Sequence, residues 1–373
     1  MHLTFVFGTR PETIKMAPLI LAARKLGHRA EVVLTGQHRE MARQMLRVFG
    51  IEADLDLGVM VPNQTLAGLS ARVLLALDEK LSPSVKRDWL LVQGDTTTAF
   101  IAGYWAFMRG IPVAHVEAGL RTHDLRAPFP EEANRQLLSR IATMHFAPTA
   151  QAARALGREG IPRALVKVVG NSGIDALLWV VERLKRPGSG GVSAEDRLPR
   201  DLLAQLGDRR VVLITAHRRE SFGPDFDDLC MGIQTAALKH SDCVFVYPVH
   251  PNPNVRAPVE KWLSGIPNVL VIEPLSYVPF IELMMRASAL LTDSGGMQEE
   301  APTLKKPVIV MRNTTERPEG VKAGFSRLVG TDSRKIEQAV TRALKRGCEG
   351  RGKNPYGDGK ASERMIRALN RCS

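Results

Sequence analysis

Three acidic side chains lie where they could move protons during a reaction. Asp95 and Glu117 each follow a short apolar run, and Glu131 opens a segment with helical character. A charge directly after an apolar strand is uncommon unless it is paired or faces a cleft. Each position also has an ordinary explanation, since Asp95 could cap a helix and Glu131 could complement a helix dipole. These carboxylates are therefore candidates for acid/base catalysis, and Glu117 is a stronger candidate than Asp95.

Two glycine-containing turns could hold an anion. The first, Gly8–Lys15, follows an apolar run and contains Arg10 and Lys15. The second, Asp293–Gly296, also follows an apolar run and precedes a helix-like stretch. Free N–H groups at a helix N-terminus bind phosphate, and nearby basic side chains add charge. Either turn alone could be an ordinary strand-to-helix connection, but two of them favour a shared phosphate ligand.

His217 lies among basic residues after another apolar run. Arg218 and Arg219 follow it directly. An imidazole beside two guanidinium groups suits a diphosphate. A single histidine near a strand end is more often structural, and that interpretation also applies to His250. The neighbouring arginines favour a functional role for His217.

Several familiar sites are missing from the sequence. No GxGxxG follows an apolar run, so a nicotinamide cofactor has no visible binding site, and there is no HExxH. The four cysteines form no CxxC pair and no metal-ligand spacing with the histidines. Segment 347–354 imitates a P-loop, but Asn354 replaces the Ser or Thr that holds magnesium. We therefore expect neither a cofactor nor a metal ion.

The formal charge of +12 favours an acidic partner. The basic residues are scattered and aromatic residues make up only 5%, whereas nucleic-acid binders usually concentrate basic residues or interleave them with aromatics. A phosphorylated small molecule is therefore the preferred partner, and a basic nucleic-acid-binding protein is a minor alternative. The cysteine pattern and the lack of a signal-peptide core or a long apolar stretch predict a soluble, cytoplasmic protein. We expect it to bind neither nucleic acid nor membrane.

A repeated strand–helix pattern must position these side chains. Short apolar runs alternate with helical-period segments, which is typical of parallel sheets in α/β proteins. The predicted strands are 3–7, 30–35, 89–93, 112–116, 144–147 and 166–169 in the first half, and 211–215, 243–249, 269–272, 290–292 and 307–311 in the second. A stretch rich in Gly, Pro and Ser, 185–199, separates the two halves.

The pattern predicts two doubly wound, Rossmann-like domains. We place the boundary near Asn171, with an N-terminal domain at 1–170 and a C-terminal domain at 171–359. The final helical segment, about residues 360–373, could pack back on the first domain. Doubly wound domains bind ligands at the carboxyl ends of their strands, so the expected active site is a central cleft between facing domains.

Eight segments, taken in order, resemble the non-hydrolysing UDP-N-acetylglucosamine 2-epimerases. They are residues 8–15, 37–40, 93–98, 116–122, 128–135, 217–221, 293–300 and 314–319. The match extends over nearly the whole chain, and eight segments in the same order are highly specific. The resemblance implies a GT-B fold, a homodimer, a UDP-sugar substrate and a reaction without a cofactor.

The family's reaction explains why carboxylates are needed. The hydrogen on C2 of the sugar lies beside no carbonyl group, so it cannot be removed as a simple α-proton. In the family, UDP leaves from C1 as the C2 proton is taken, which gives enzyme-bound 2-acetamidoglucal. Re-addition of UDP then delivers a proton to the other face. This requires acid/base groups on both faces of the ring and cations around the diphosphate.

The resemblance also implies roles for individual residues. It implies acid/base catalysis by Asp95, Glu117 and Glu131, without assigning a face to any of them, and stabilisation of the leaving UDP by His217. The implied substrate-binding residues are Arg10, Ser294 and Gly295 near the diphosphate, Glu300 on the ribose, Phe280 near uracil, and Lys15, Arg135 and Arg317 elsewhere in the site. In some bacterial members, residues resembling Gln37, His38 and Gln64 bind a second substrate molecule as an allosteric activator.

Two other enzyme activities remain open. A sister 2-epimerase acting on another UDP-2-acetamido sugar, such as a 2,3-diacetamido uronic acid derivative, would need only a different pocket around C3 or C6. A GT-B glycosyltransferase would share the nucleotide-binding half and would need an acceptor site. The carboxylates Asp95, Glu117 and Glu131 argue against the glycosyltransferase.

Overall fold

The computed structural model describes residues 1–37, 39–186 and 191–371, without the side chain of Arg39. The chain divides into two compact units. The first unit comprises Met1–Ala176 and Tyr356–Ser373, and the second comprises Leu177–Pro355. The end of the chain therefore belongs with the first unit.

The first unit is built on a parallel sheet. Within the described residues its strands are β1 (His2–Phe7), β2 (Arg29–Leu34), β3 (Leu55–Asp56), β4 (Trp89–Gln93), β5 (Val113–Val116), β6 (Met144–Ala147) and β7 (Val166–Val168). Their order is β3-β2-β1-β4-β5-β6-β7, with every neighbouring pair parallel. All residues of β1, β4, β5 and β6 are buried, as expected for strands covered by helices on both faces.

Helices follow most of these strands. They are α1 (Arg10–Lys25), α2 (Arg39–Val48), α3 (Leu66–Lys80), α4 (Thr97–Met108), α5 (Glu131–Ile141), α6 (Ala150–Arg158) and α7 (Ser172–Lys185), which contains the point of division between the units. A capping box between Thr9 and Glu12 begins α1. The hydroxyl groups of Thr65, Thr96 and Thr149 accept backbone N–H groups at the starts of α3, α4 and α6. Local side-chain chemistry thus sets where these helices begin.

The second unit repeats the plan. Its strands are β8 (Arg210–Thr215), β9 (Cys243–Pro248), β10 (Val269–Ile272), β11 (Ala287–Thr292), β12 (Val308–Val310) and β13 (Ser326–Leu328). Within the described residues they form one sheet in the order β10-β9-β8-β11-β12-β13, and every neighbouring pair is parallel.

The helices of this unit cover its sheet. They are α8 (Arg200–Leu206), α9 (Pro224–Lys239), α10 (Pro253–Leu263), α11 (Tyr277–Arg286), α12 (Gly295–Glu300), α13 (Pro318–Lys322) and α14 (Ser333–Arg346). The last helix, α15 (Ala361–Asn370), packs on α1 in the first unit, and Asp175 accepts the backbone N–H groups of Ala361 and Ser362 at its start. No helix in the described parts of the chain is both long enough and apolar enough to cross a bilayer.

The strand order reverses between β1 and β4 in the first sheet and between β8 and β11 in the second. Ligands of doubly wound sheets bind beyond the carboxyl ends of the strands at such a reversal.

The sequence pattern predicts eleven of the strands and misses β3 and β13, which have only two and three residues. The predicted α/β class and the parallel, doubly wound sheets are confirmed.

Candidate active site

The predicted acidic residues meet at the carboxyl edge of the first sheet. Asp95 follows β4, Glu117 follows the adjacent β5, and Glu131 is the first residue of α5. Arg10 and Lys15 reach the same edge because α1 follows β1, which pairs with β4. The topology therefore gathers these five predicted site residues around one edge of the first sheet.

Glu117 has an unusual backbone conformation. Its φ of 64° lies in the left-handed region, which a residue with a Cβ seldom occupies. Lys15 Nζ forms an ion pair with Glu117 Oε2, and Gln93 Nε2 donates to the same oxygen at 3.2 Å. Backbone strain of this kind persists where surrounding contacts hold it, often at functional sites. The conformation fixes the position of a carboxylate that is only 10% exposed.

Asp95 is held by a guanidinium group. Arg135 Nε donates to Asp95 Oδ2 at 2.8 Å, and Arg135 also donates to the fully buried Glu132 at 2.9 Å. The helix-cap explanation for Asp95 is wrong, because the hydroxyl of Thr96 accepts the N–H of Ala99 and caps α4 instead. The side chain of Asp95 is thus available for another role.

The environment of Asp95 changes its affinity for protons. Burial raises the pKa of Asp95 above the usual value for aspartate, and the nearby charge of Glu117 raises it further. The charges of Arg135 and Lys15 oppose this rise. Asp95 therefore holds a proton more readily than an exposed aspartate does, which suits a group that must both give and take one.

Glu131 begins α5 with one oxygen unsatisfied. Its Oε2 is buried and has no hydrogen-bond partner among the described residues. A buried, unpaired acceptor is costly, so such atoms in native structures usually need an explanation. A hydroxyl group of a bound ligand would satisfy it.

Glu12 links the loop after β1 to the loop after β4, and sequence reasoning missed this residue. Its Oε2 accepts the N–H groups of Gly8 and Thr9 at 3.1 and 2.7 Å, and its Oε1 accepts the hydroxyl of Thr96 at 2.6 Å. The Thr9–Glu12 spacing of a capping box was readable from the sequence, but the contact with Thr96 was not. Glu12 therefore positions the loop before Arg10 against the loop that carries Asp95.

His217 follows β8 in the second unit and lies beside a buried carboxylate. Asp293 Oδ2 accepts the backbone N–H groups of His217 and Arg218 at 2.6 and 2.7 Å. The ring of His217 stacks on His250 with centroids 5.5 Å apart. Partial burial lowers the pKa of His217, Asp293 opposes this effect, and the charges of Arg218 and His250 add to it.

Ser294, Gly295 and Arg317 come together at the start of α12. The backbone N–H of Ser294 donates to Thr292 Oγ1 at 2.9 Å, and Arg317 Nε donates to Glu299 Oε1 at 2.8 Å. A Cβ on residue 295 would lie only 2.9 Å from Arg317 Cζ. The absence of a side chain on Gly295 lets the guanidinium group lie against the backbone, and a Cβ here would displace it.

The remaining predicted residues of the second unit lie on nearby elements. Glu300 ends α12 and Phe280 lies in α11, and both are partly buried. The two helices flank β11, since α11 precedes it and α12 follows it. The structure thus places both residues on elements next to the strand that ends at Thr292.

Arg312 is another residue that sequence reasoning missed. It is 5% exposed and forms ion pairs with Glu220 at 2.5 Å and Glu316 at 2.8 Å. Glu220 lies three residues after His217, and Glu316 lies directly before Arg317. Arg312 therefore ties the His217 loop to the Arg317 loop.

The possible allosteric residues are only partly described. Gln37 lies after β2 with its Oε1 buried and without a partner in the described residues. Gln64 lies before α3 and accepts a hydrogen bond from Arg72. His38 lies outside the described residues. The allosteric role of this set stays a prediction.

The described residues contain no group of three or more His, Cys, Asp or Glu side chains arranged to hold a metal ion. The three described cysteines, Cys230, Cys243 and Cys348, are unpaired. Of the carboxylates discussed above, Glu117 pairs with Lys15, Asp95 with Arg135 and Glu299 with Arg317.

The chain is similar to known proteins over its full length. A family profile described as UDP-N-acetylglucosamine 2-epimerase matches residues 22–370. The chain is 48% identical over 384 residues to UDP-N-acetylglucosamine 2-epimerase of Escherichia coli K12, with 100% of both chains covered. It is 44% identical over 374 residues to the protein of the same name from Neisseria meningitidis, with 99% of both covered.

Solved structures are also similar to this chain over its full length. The crystal structure of the Neisseria meningitidis UDP-GlcNAc 2-epimerase bound to UDP-GlcNAc matches with a TM-score of 0.89 and 44% identity, covering 100% of both chains. The Methanocaldococcus jannaschii UDP-GlcNAc 2-epimerase in complex with UDP-GlcNAc and UDP matches with a TM-score of 0.81 and 32% identity, also over 100% of both. The predicted GT-B fold class is confirmed by these likenesses. On profile, identity and fold together, this chain belongs to the UDP-N-acetylglucosamine 2-epimerase family.

Proposed function

We propose that the protein interconverts UDP-N-acetylglucosamine and UDP-N-acetylmannosamine by the non-hydrolysing route, without a cofactor. The full-length identity of 48% to the Escherichia coli protein of that name supports this function. The observation that carries it is the placement of Asp95, Glu117 and Glu131 around one edge of the first sheet. Inversion at C2 needs proton-transfer groups on both faces of the sugar, and three carboxylates at one edge of the sheet support the proposal.

The chemistry proceeds by elimination and re-addition. The C1–O bond breaks and its electron pair leaves with UDP, while the electrons of the C2–H bond form the C1–C2 double bond of 2-acetamidoglucal. A carboxylate takes the C2 proton. Re-addition of UDP to C1 is accompanied by protonation of C2 from the opposite face, which gives the other epimer.

Three carboxylates in three environments suit this exchange. Glu117 is paired with Lys15, Asp95 has its pKa raised by burial, and Glu131 has a buried oxygen without a partner in the described residues. Carboxylates whose environments differ can hold different protonation states at one pH. The proposal assigns acid/base work to all three and no particular face to any of them.

The polar residues of the second unit bind the nucleotide in this proposal. His217 stabilises the negative charge on the leaving UDP. Arg317, which approaches the backbone at Gly295, adds a cation next to the turn at Ser294. The full set of proposed substrate-binding residues is Arg10, Lys15, Arg135, Phe280, Ser294, Gly295, Glu300 and Arg317.

One experiment tests the reaction directly. Purified protein is incubated with UDP-N-acetylglucosamine in deuterated water without NAD, and the sugar is followed by NMR. We expect the manno epimer, deuterium at C2 and no free N-acetylmannosamine. A glycosyltransferase would give neither epimer nor exchange without an acceptor. A parallel incubation with a UDP-2,3-diacetamido uronic acid identifies a sister epimerase if only that sugar reacts.

We also propose that the protein is a cytoplasmic homodimer. An apolar row on α4, formed by Tyr104, Phe107 and Met108, is 40–56% exposed, and Leu137 on the neighbouring α5 is 51% exposed. Exposed apolar patches commonly mark protein–protein interfaces. A second copy of the chain is the partner we expect on this face.

A further inference from the structure

Asp293 is a buried carboxylate to which the proposed reaction assigns no role. It follows β11, and its side chain is 0% exposed. Its Oδ2 accepts the backbone N–H groups of His217 and Arg218 at 2.6 and 2.7 Å. These two hydrogen bonds account for one oxygen and hold the loop after β8 in place.

The other oxygen of Asp293 faces the imidazole ring. Oδ1 is buried without a hydrogen-bond partner in the described part of the chain, and it lies 3.8 Å from Nδ1 of His217. That distance is about 1 Å longer than a hydrogen bond. The side chain of His217 is 42% exposed, so the ring has room to turn toward the carboxylate. A small rotation of the ring would bring Nδ1 within hydrogen-bond distance of Oδ1.

The other groups around the ring disfavour a positive charge on it. Arg218 is adjacent in sequence, and His250 stacks on the ring with an interplanar angle of 16°. The hydroxyl of Tyr247 is engaged with the carbonyl oxygen of Ala216 at 2.6 Å. Asp293 supplies the negative charge that opposes Arg218 and His250.

We propose that Asp293 is the positioning residue for His217. Its Oδ1 accepts the Nδ1–H of the ring, which fixes one tautomer and points Nε2 away from the carboxylate. Its charge stabilises the imidazolium form while a diphosphate lies against Nε2. A carboxylate commonly orients a functional histidine in this way. The inference rests on the proposed role of His217 in stabilising the leaving UDP.

The exchange Asp293→Asn separates charge from loop anchoring. The carboxamide oxygen can still accept the N–H groups of His217 and Arg218, but an NH₂ group now faces Nδ1. An amide donor stabilises the opposite tautomer, with the proton on Nε2, and does not stabilise the imidazolium. The loop is therefore kept while the proposed effect on the ring is removed.

The measurement uses full-length protein labelled with ¹⁵N-histidine and follows His217 by NMR with and without UDP. The wild-type ring is expected to carry its neutral-state proton on Nδ1. In Asp293→Asn we expect the proton on Nε2 and a His217 pKa in the UDP complex lower by about one unit or more. For epimerisation we expect kcat to fall at least about tenfold with KM changed by less than about threefold.

Thr292→Val is the matched control. Thr292 Oγ1 accepts the N–H of Ser294 at 2.9 Å and contacts Thr215 Oγ1 at 2.7 Å. Loss of this hydroxyl therefore perturbs the ends of β8 and β11 without removing the carboxylate of Asp293. We expect the tautomer and pKa of His217 to be unchanged in this variant. An equal shift in both variants would show a general loop effect and overturn the proposal.

The remaining outcomes are also decisive. If Asp293→Asn does not fold, the wild-type spectrum decides, and a wild-type ring without a proton on Nδ1 in its neutral form overturns the inference. A folded Asp293→Asn protein in which the tautomer and the pKa of His217 are unchanged also overturns the inference. A wild-type protein that fails to epimerise UDP-N-acetylglucosamine removes the proposed function, whereas the NMR result still tests the pairing of Asp293 with His217.

Discussion

At the scale of single residues, the backbone conformation of Glu117 supports its proposed acid/base role. A φ of 64° in a residue with a side chain costs about 1–3 kcal/mol, and an exposed surface glutamate has no need of it. The contacts with Lys15 and Gln93 hold the side chain in this strained position. The local fold therefore places this carboxylate at the expense of some stability.

Replacing Glu117 by Gln tests its acid/base role. The amide has nearly the same shape and cannot accept the proton, so we expect kcat to fall by about 10²–10⁴-fold with little change in KM. Steady-state kinetics and C2 deuterium exchange are the measurements. Glu52→Gln, an exposed glutamate of the same unit, serves as the control and should behave as wild type. Retention of C2 exchange by Glu117→Gln would assign the proton transfer to another residue.

Replacing Gly295 by Ala tests the close approach of Arg317. The new Cβ would meet Arg317 Cζ at 2.9 Å, so the guanidinium group must move. We expect KM for the UDP-sugar to rise about tenfold, because a cation loses its position. Gly296→Ala is the matched control, since its Cβ would meet Ser294 Oγ at an ordinary 3.9 Å. Equal kinetics for the two variants would contradict the importance of this contact.

At the scale of secondary-structure elements, Glu12 connects α1 to α4. Burial raises the pKa of Glu12, although hydrogen bonds from Thr96, Thr9 and Gly8 oppose the rise. A carboxyl group whose folded pKa is raised contributes stability that is present below its unfolded pKa and is lost as the pH rises through the folded pKa. The N-terminal end of α1 favours a negative charge at this position and offsets part of that loss.

Replacing Glu12 by Ala should therefore loosen the loop after β1 and the loop after β4. It leaves the N–H groups of Gly8 and Thr9 without their acceptor, and we expect the free energy of unfolding to fall by about 2 kcal/mol. Glu12→Gln keeps an oxygen and avoids burying a charge, so it should cost less than the alanine at neutral pH. Urea denaturation of the two variants measures the difference. A Glu12→Ala protein as stable as Glu12→Gln would contradict the anchoring role.

At the scale of the whole molecule, buried histidines should make the protein sensitive to acid. Burial, together with smaller effects of the charges of His145, Arg121 and Arg135, lowers the pKa of His115 to about 3. Burial also lowers the pKa of His145 to about 4. Below pH 6.5 an unfolded histidine binds a proton that the folded one does not, so stability falls as the pH falls from 6.5 toward 3.

Replacing His115 by Gln tests this effect. The Nε2 of His115 lies 2.7 Å from the carbonyl oxygen of Gly94, and a glutamine amide can donate in its place. Between about pH 7 and about pH 5.5 the wild-type protein should lose about 1 kcal/mol of unfolding free energy through this histidine alone. The His115→Gln protein should lose correspondingly less over the same range in urea titrations. An identical pH dependence would assign the acid sensitivity to other groups.

The oligomeric state is a second property of the whole molecule. Phe107 is 56% exposed in the apolar row of α4, and burying it against a second copy would stabilise a dimer. We expect Phe107→Glu to sediment as a monomer while wild type sediments as a dimer. Leu238→Glu, at a 62% exposed leucine on α9, is the control and should remain dimeric. A Phe107→Glu dimer would place the interface elsewhere.

The sequence by itself determined the repeated strand–helix pattern and the residues at strand ends. Both are local properties, because an apolar run of five residues and a capping threonine act on their immediate neighbours. The sequence also carried the family resemblance, since eight short segments kept their types and order. The strands β3 and β13 were missed, because neither Leu55–Asp56 nor Ser326–Leu328 contains an apolar run.

Only the tertiary structure decided which side chains are partners. Thr96, and not Asp95, caps α4, and both residue types cap helices well enough that sequence could not choose between them. Glu12 meets Thr96 across 84 positions, and Asp293 meets His217 across 76. Such pairs form because β1 lies beside β4 and β8 lies beside β11, and strand neighbours are set by packing of the whole sheet, which no local pattern encodes.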